Sequence, residues 1–304
     1  MIAGRESQVL NRSGISREPL SEPRGVRSIL AEAVVPRLGR INSERLQFLH
    51  KLGYLPHLQR PRNLNEKICA MKLFADLPAA PMLADKAAVR DYVARVAGEK
   101  YLNELYQIAD RAEDIDWARL PNAFAARTTH GSGMNVLVRD KSREDLGACQ
   151  SRLSNFLRRR YGRLTNEWWY SRIKPRIVIE RFLADEKFEL PRSYNFYCFH
   201  GRVQFIRLVD HVKNEAPDFY DRDWNMREFY FARMPRGPHV APPSRLGEMI
   251  EIAEALAGEL EFVRVDLFRP NDERVVFNEM TLAPGAGWDR IEPRGASEYI
   301  GSFW

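Results

Sequence analysis

Apolar and polar positions change period several times along the chain, and each change marks an element. Phe262-Val263-Arg264-Val265-Asp266-Leu267-Phe268 alternates strictly. That predicts a strand with Val263, Val265 and Leu267 buried on one face and Arg264 and Asp266 sharing the other with Phe262 and Phe268. Pro270-Asn271-Asp272-Glu273 is turn material, and a second strand is read from Arg274 to Met280. With Asn271-Asp272 at the tip, the register sets Arg264 opposite Glu279 and Asp266 opposite Phe277. Asp266 and Glu279 then lie diagonally on one face, roughly 7 to 8 Å apart.

Helical periods dominate upstream. Asn65 is read as the N-cap of a helix carrying Ile68, Met71, Leu73 and Phe74. A second helix opens at Asp85, with Val89, Tyr92, Val93 and Val96 on the 3.6-residue period and Gly98 closing it. Phe124 to Arg127 is a strand, Thr128 to Asn135 a small-residue loop, and Val136 to Val138 another strand. Ser142 begins a helix with the stripe Leu146, Cys149, Leu153, Phe156 and Leu157, ended by Arg158-Arg159-Arg160 and Gly162. Trp168, Trp169 and Tyr170 read as core or cleft wall. Ile177 to Glu180 is a buried-type strand, and Tyr194 to Phe199 pairs with Arg202 to Asp210 through His200-Gly201. Ser244 caps a helix whose Leu246, Met249, Ile250, Ala253 and Leu256 face inward.

Composition narrows the classes. The 304 residues can bury a sizeable core, and no apolar run approaches the ~18 residues of a membrane span. With 47 Lys plus Arg against 41 Asp plus Glu, the net charge of +6 favours anionic ligands. Cys69, Cys149 and Cys198 are widely spaced with no CxxC pair, which fits a reducing cytoplasm and argues against structural zinc. Residues 1 to 28 read as a mobile tail without the apolar core of a signal peptide. Ile29 to Val35 is a short apolar helix that packs on the body or touches a membrane surface weakly. No interleaving of basic and aromatic positions points to nucleic acid.

The chemistry concentrates in four places. Two converging acids, Asp266 and Glu279, suit one or two hard cations such as magnesium; a surface hairpin with a solvated acid row is the plain alternative. The glycines of Thr281 to Gly287 let backbone amides approach a ligand. The loop His130-Gly131-Ser132-Gly133 lacks the helix and the Gly-Lys-Ser/Thr ending of a P-loop, but can fold over phosphates as a flap with Arg127 as a cation at its base. Any tight hairpin would look alike. Lys86, in a first helical turn against the dipole, is either a phosphate contact or a solvated lysine. The connector Arg181 to Glu186 either offers backbone groups to an adenine edge and an acid to ribose, or simply joins two domains.

Taken together, Asn65-Glu66-Lys67, Asp85-Lys86 with Arg90, Asn122 to Asn135, Lys174-Pro175-Arg176 before Glu180, Asp218 to Asp221 with Asp223-Trp224, and Phe262 to Leu267 with Glu279, Thr281, Pro284 and Gly285 resemble the TupA-like branch of the ATP-grasp superfamily. That branch is associated with teichuronopeptide and other surface-polysaccharide gene products. The resemblance runs from about Asn63 to the end. It implies an α+β chain in which two subdomains of the ATP-grasp fold grip a nucleotide, with ATP and Mg²⁺ as cofactors. Asp266 and Glu279 hold the metal, and Arg264 acts catalytically by neutralising phosphate charge or the acyl-phosphate transition state. Lys86, Arg127, His130, Gly131, Ser132 and Gly133 meet the phosphates; Glu180, Phe182 and Leu183 hold adenine; Asp185 or Glu186 lies near ribose. Arg127 stands in place of the family's strand lysine, Asn195 where relatives often carry a second lysine, and Thr281 at the usual metal-binding asparagine.

On this reading the chain divides into a tail (1–28), a helical region (29–104), a small subdomain with the flap (105–185) and a large one with the metal site (186–304). The implied reaction joins a small-molecule or saccharide carboxylate to an amine in the cytoplasm, through an acyl phosphate. Two other classes remain: a glycosyltransferase using Asp221-Arg222-Asp223, and a nucleotide-binding protein without turnover, motivated by Asn195 and Thr281.

Overall fold

A computed structural model describes residues 38–185, 190–210, 219–232, 237–272, 274–293 and 295–304. The tail, the stretch Ile29 to Val35 and Glu186 lie outside the described residues. Four helices come first: α1 (Gly39–Leu52), α2 (Leu64–Phe74), α3 (Ala80–Ala84) and α4 (Val89–Val96). Two starts differ from the sequence expectation. Asn63, not Asn65, caps α2, because its extended backbone lets Oδ1 accept the Glu66 amide at 3.0 Å. Asn65 lies within the first turn and points away, donating to the carbonyls of Gly287 (3.0 Å) and Asp289 (2.8 Å). Asp85 does not open α4. Its carboxylate accepts the amides of Ala87 (2.8 Å) and Ala88 (3.2 Å), building a separate turn that holds Lys86 ahead of the helix.

The first sheet is antiparallel and runs in the order β1 (Leu105–Ala109), β4 (Ile177–Arg181), β2 (Phe124–Thr128), β3 (Asn135–Val138). Helix α5 (Leu146–Leu157) covers it, with Cys149, Leu153 and Phe156 buried over Phe124, Val136 and Ile179. This helix starts four residues later than read. Asp145 caps it through the Ala148 amide, while Ser142 belongs to a preceding 3₁₀ turn capped by Asp140.

The second sheet, also antiparallel, is built from β5 (Ser193–Phe199), β6 (Arg202–Val209), β7 (Phe219–Asp221), β9 (Phe262–Phe268) and β10 (Val276–Thr281) in the order β10-β9-β5-β6-β7. Between them, the short β8 (Tyr230–Phe231) pairs instead with β11 (Ile291–Glu292). The β5–β6 turn places His200 and Gly201 at φ 47° and 73°, the paired positive values a tight hairpin needs. Val263, Val265 and Leu267 are fully buried beneath α6 (Leu246–Ala257), together with Met249, Ala253 and Leu256. Arg245 occupies the cap position of α6; the Ser244 hydroxyl is instead turned to accept from Arg269 at 2.7 Å. A last helix, α7 (Ala296–Gly301), returns the chain to α2. Among the described residues no helix is long and apolar enough to cross a membrane, and Cys69, Cys149 and Cys198 are buried free thiols.

The hairpin register also differs from expectation. Phe277 pairs with Leu267 and Glu279 with Asp266, so Asn278 is an extra residue bulging from β10. The bulge turns the predicted diagonal into a direct cross-strand pair, and Arg264 faces Thr281 instead of Glu279.

Candidate active site

The two sheets face each other across a cleft of about 420 Å³. Its floor is the polar face of the second sheet. Cross-strand partners there form a row, Arg207 on β6, Asn195 on β5, Asp266 on β9 and Glu279 on β10, crossing four strands at one level. Burying such a row costs free energy unless each group is satisfied. Arg264, one step along β9, supplies most of the compensation: its guanidinium donates to both Asp266 oxygens at 2.7 and 2.6 Å and reaches Glu279 at 3.4 Å and the Thr281 hydroxyl at 3.1 Å.

One guanidinium does not neutralise two adjacent carboxylates equally. Burial, reinforced by the neighbouring Glu279, pushes the Asp266 carboxyl up to about 6 in spite of Arg264. Burial acts the same way on Glu279, but Lys86, Arg264 and Arg127 outweigh it and hold that group below the usual glutamate range. Beside Asp266 the Oδ1 of Asn195, a residue only 4% exposed, has no hydrogen-bond partner. An orphaned amide oxygen, two carboxylates and the Thr281 hydroxyl are all hard oxygen donors, the set that suits Mg²⁺. The residues present therefore fit the metal.

The opposite wall comes from the first sheet. Arg127 on β2 donates to Glu180 on β4 and to Asn278 in the bulge, both at 2.7 Å, so it bridges the two sheets. Arg90 of α4 holds the other Glu180 oxygen at 2.6 Å. Glu180, 3% exposed, is thus fixed between two arginines. Lys86 donates to the Gly131 carbonyl at 2.5 Å, tying the helical region to the flap. Burial lowers its pKa, with Glu279 opposing.

Lys86, Arg127, Gly131, Ser132, Gly133, Glu180, Phe182, Leu183, Arg264, Asp266 and Glu279 all line this one cleft. The structure does not bring His130 or Asp185 to it. His130 sits at the flap's base but is buried, its Nε2 3.1 Å from the Arg159 carbonyl, and burial lowers its pKa. Asp185 accepts the Asn271 amide at 2.6 Å. Asn278 and Arg207 also line the cleft and were not singled out from the sequence. Arg207 left a trace, as a charge inside the apolar strand Val203 to Val209; a bulge leaves none. Asp221 and Asp223 border a different cavity, with Arg202 and Phe303 in its wall.

The family model described as TupA-like ATPgrasp matches residues 66–303. No curated protein matches the sequence. Among solved structures, an L-amino acid ligase from Bacillus licheniformis is 17% identical, with a TM-score of 0.46 over 86% of this chain and 57% of that one. An N5-carboxyaminoimidazole synthetase from Staphylococcus aureus, complexed with ADP, is 12% identical, with a TM-score of 0.41 over 66% and 45%. A D-alanine–D-alanine ligase from Bacillus anthracis, complexed with ATP, is 13% identical, with a TM-score of 0.39 over 66% and 54%. This chain therefore spans about half the length of these proteins.

Proposed function

The chain belongs to the TupA-like ATP-grasp family, and from that premise we propose that it is a Mg-ATP-dependent carboxylate–amine ligase working through an acyl phosphate. The observation that carries the reading is the convergence of Asp266, Glu279 and Arg264 in one cleft with Arg127, Lys86 and the flap. On this reading residues 105–185 and 186–304 are the two gripping subdomains, and 29–104 supplies Lys86. The connector Phe182-Leu183 takes adenine and Arg127 meets phosphate oxygens, a role its planar fork supports. Asp266 and Glu279 would hold Mg²⁺, and the unpartnered Oδ1 of Asn195 is a further oxygen donor beside Asp266. When bound, the metal offsets charge building on the transferred phosphoryl group.

Arg264 does the remaining work of this chain. Its ties to Asp266 and Glu279 fix its positive charge in the cleft, and on this reading that charge would stabilise the acyl phosphate as it forms. Fixed charge of this kind needs no nucleophilic side chain. The substrates proposed are a small-molecule or saccharide carboxylate and an amine, in cytoplasmic surface-polysaccharide or peptide-conjugate biosynthesis.

Thermal unfolding tests the site. A ligand that binds only the folded state raises its stability, so Mg-ATP should raise Tm in the native protein and not in Asp266→Asn. A shift of equal size in both proteins would remove the metal role from Asp266, and a shift with nucleotide sugars alone would replace ligation with glycosyl transfer.

A further inference from the structure

Arg264, Glu279 and Ser132 line two cavities. Besides the cleft already described, they form one wall of a second space of about 770 Å³, whose other walls include Lys51, Tyr161, Tyr170, Trp288 and Glu167. Anything held there meets the phosphoryl end of a nucleotide in the cleft across a shared wall. Glu167 is 5% exposed. One of its oxygens accepts the Thr165 hydroxyl at 2.5 Å, which fixes its orientation.

The environment of Glu167 is specific. Burial pushes its carboxyl up to about 7, with Glu44 and Glu279 adding to the rise and Thr165 and Lys72 opposing it. Tyr161 and Tyr170 also face it, and burial with Glu167 beside them raises both phenols, Tyr161 to about 12. Lys72 on α2 is committed elsewhere, to Glu44 at 2.9 Å and to the Thr165 and Ala286 carbonyls at 2.8 and 2.7 Å. Lys51, Arg290 and a third carboxylate, Asp289, line the same space; among the described residues Glu167 itself is held by the Thr165 hydroxyl and not by a cation.

We infer that the 770 Å³ space is the site of the acceptor amine, and that Glu167 is the base that takes the proton of its ammonium group. The inference rests on the ligase reading above. An amine enters as R–NH3⁺ and cannot attack until it loses a proton. Glu167 carboxylate takes that proton and becomes the acid. The freed nitrogen lone pair then attacks the acyl carbon, the C–N bond forms, and the bond from carbon to the phosphate oxygen breaks. The departing phosphate carries the second nitrogen proton, and Glu167 returns the first to solvent. It borders a further cavity of about 520 Å³, with Arg40 and Arg163 in its wall, that gives the proton a way out.

Hydroxylamine separates the two steps, because it is already neutral near pH 7 and needs no base. The probes are Mg-ATP with the twenty amino acids, glucuronate and galacturonate as carboxylates. Hydroxylamine, ammonium chloride or the amino acids serve as nucleophiles, and products are read by mass. In Glu167→Gln, amide formation should fall roughly 10²-fold, while hydroxamate formation stays within about two-fold of native. In the native protein, the pH profile of amide formation should carry an inflection near 7, separate from the ionisation of the amine itself, that hydroxamate formation lacks, a measurement that needs no variant. Amide formation at the native rate in Glu167→Gln, or the same pH profile for both nucleophiles, would overturn the inference and leave the ligase reading standing. No hydroxamate from any carboxylate would overturn both.

Discussion

Asp266 and Glu279 are direct cross-strand partners, brought level by the single extra residue Asn278. Two carboxylates side by side, both reached by Arg264, repel each other. Replacing one by its amide relieves that repulsion while keeping an oxygen for the guanidinium. Asp266→Asn should therefore leave the Tm of the nucleotide-free protein at pH 8 equal to or above the native value, even as it removes the Mg-ATP shift. A drop of several degrees without nucleotide would show that the carboxylate holds the fold together more than it serves a ligand.

The flap has a position where size alone decides. A Cβ on Gly131 would come 2.7 Å from Cγ of Tyr161, closer than real contacts allow. Gly131→Ala should displace the flap and its carbonyl from Lys86. Isothermal titration should show Mg-ATP affinity reduced by about ten-fold or more, equivalent to about 1.4 kcal/mol; unchanged affinity would separate the flap from nucleotide binding.

The buried carboxyl of Glu167 also makes a prediction about stability. Its folded value of about 7 lies above the ordinary 4.5, so the native state binds the proton more tightly than the unfolded chain. Stability from this group is fully present below pH 4.5 and is lost as pH rises through 7, on the order of 3 kcal/mol. Glu167→Gln removes the ionisation. Urea unfolding at pH 5 and pH 8 should show the variant gaining on the native protein as pH increases, and a constant difference would refute the shift.

Lys72 and Glu44 are both fully buried and paired at 2.9 Å. Removing one member of such a pair leaves an uncompensated charge, which costs roughly 3–5 kcal/mol. Lys72→Met should lower stability by that order in chemical denaturation, with Cm falling and the slope unchanged. A loss below 1 kcal/mol would mean that water reaches Glu44.

How much of this could be read from the chain depends on whether the signal was local. The strand Phe262–Phe268 appeared with its true ends because alternation reports burial residue by residue, and Val263, Val265 and Leu267 are fully buried. The pairing of that strand was not legible, since a bulge at Asn278 alters no pattern in its own segment. Caps failed for a related reason. Asn63 and Asn65 are equally good capping residues, and what decides is that Asn65 is needed by Gly287 and Asp289, more than 200 positions away. Arg127, Glu180, Arg264 and Asp266 converge because strands β2, β4 and β9 carry them to the cleft, and the flap and the connector follow as the direct continuations of β2 and β4. His130 did not, since its ring turns inward to a carbonyl after α5 that no local pattern announces. Glu167 was passed over within the aromatic run Trp168-Trp169-Tyr170, which reads as core.

The Lys72 ammonium also sets an order of events during synthesis. Its partners are Glu44, 28 positions earlier, and the carbonyls of Thr165 and Ala286, 93 and 214 positions later. A nascent chain emerges N-terminal end first. Helix α2 is therefore complete long before Ala286 leaves the ribosome, and until then its lysine must stay hydrated with part of its bonding unmet. The wall that carries Glu167 and Ala286 can close only once both have emerged, so the first sheet and α5 can assemble before the 770 Å³ space exists.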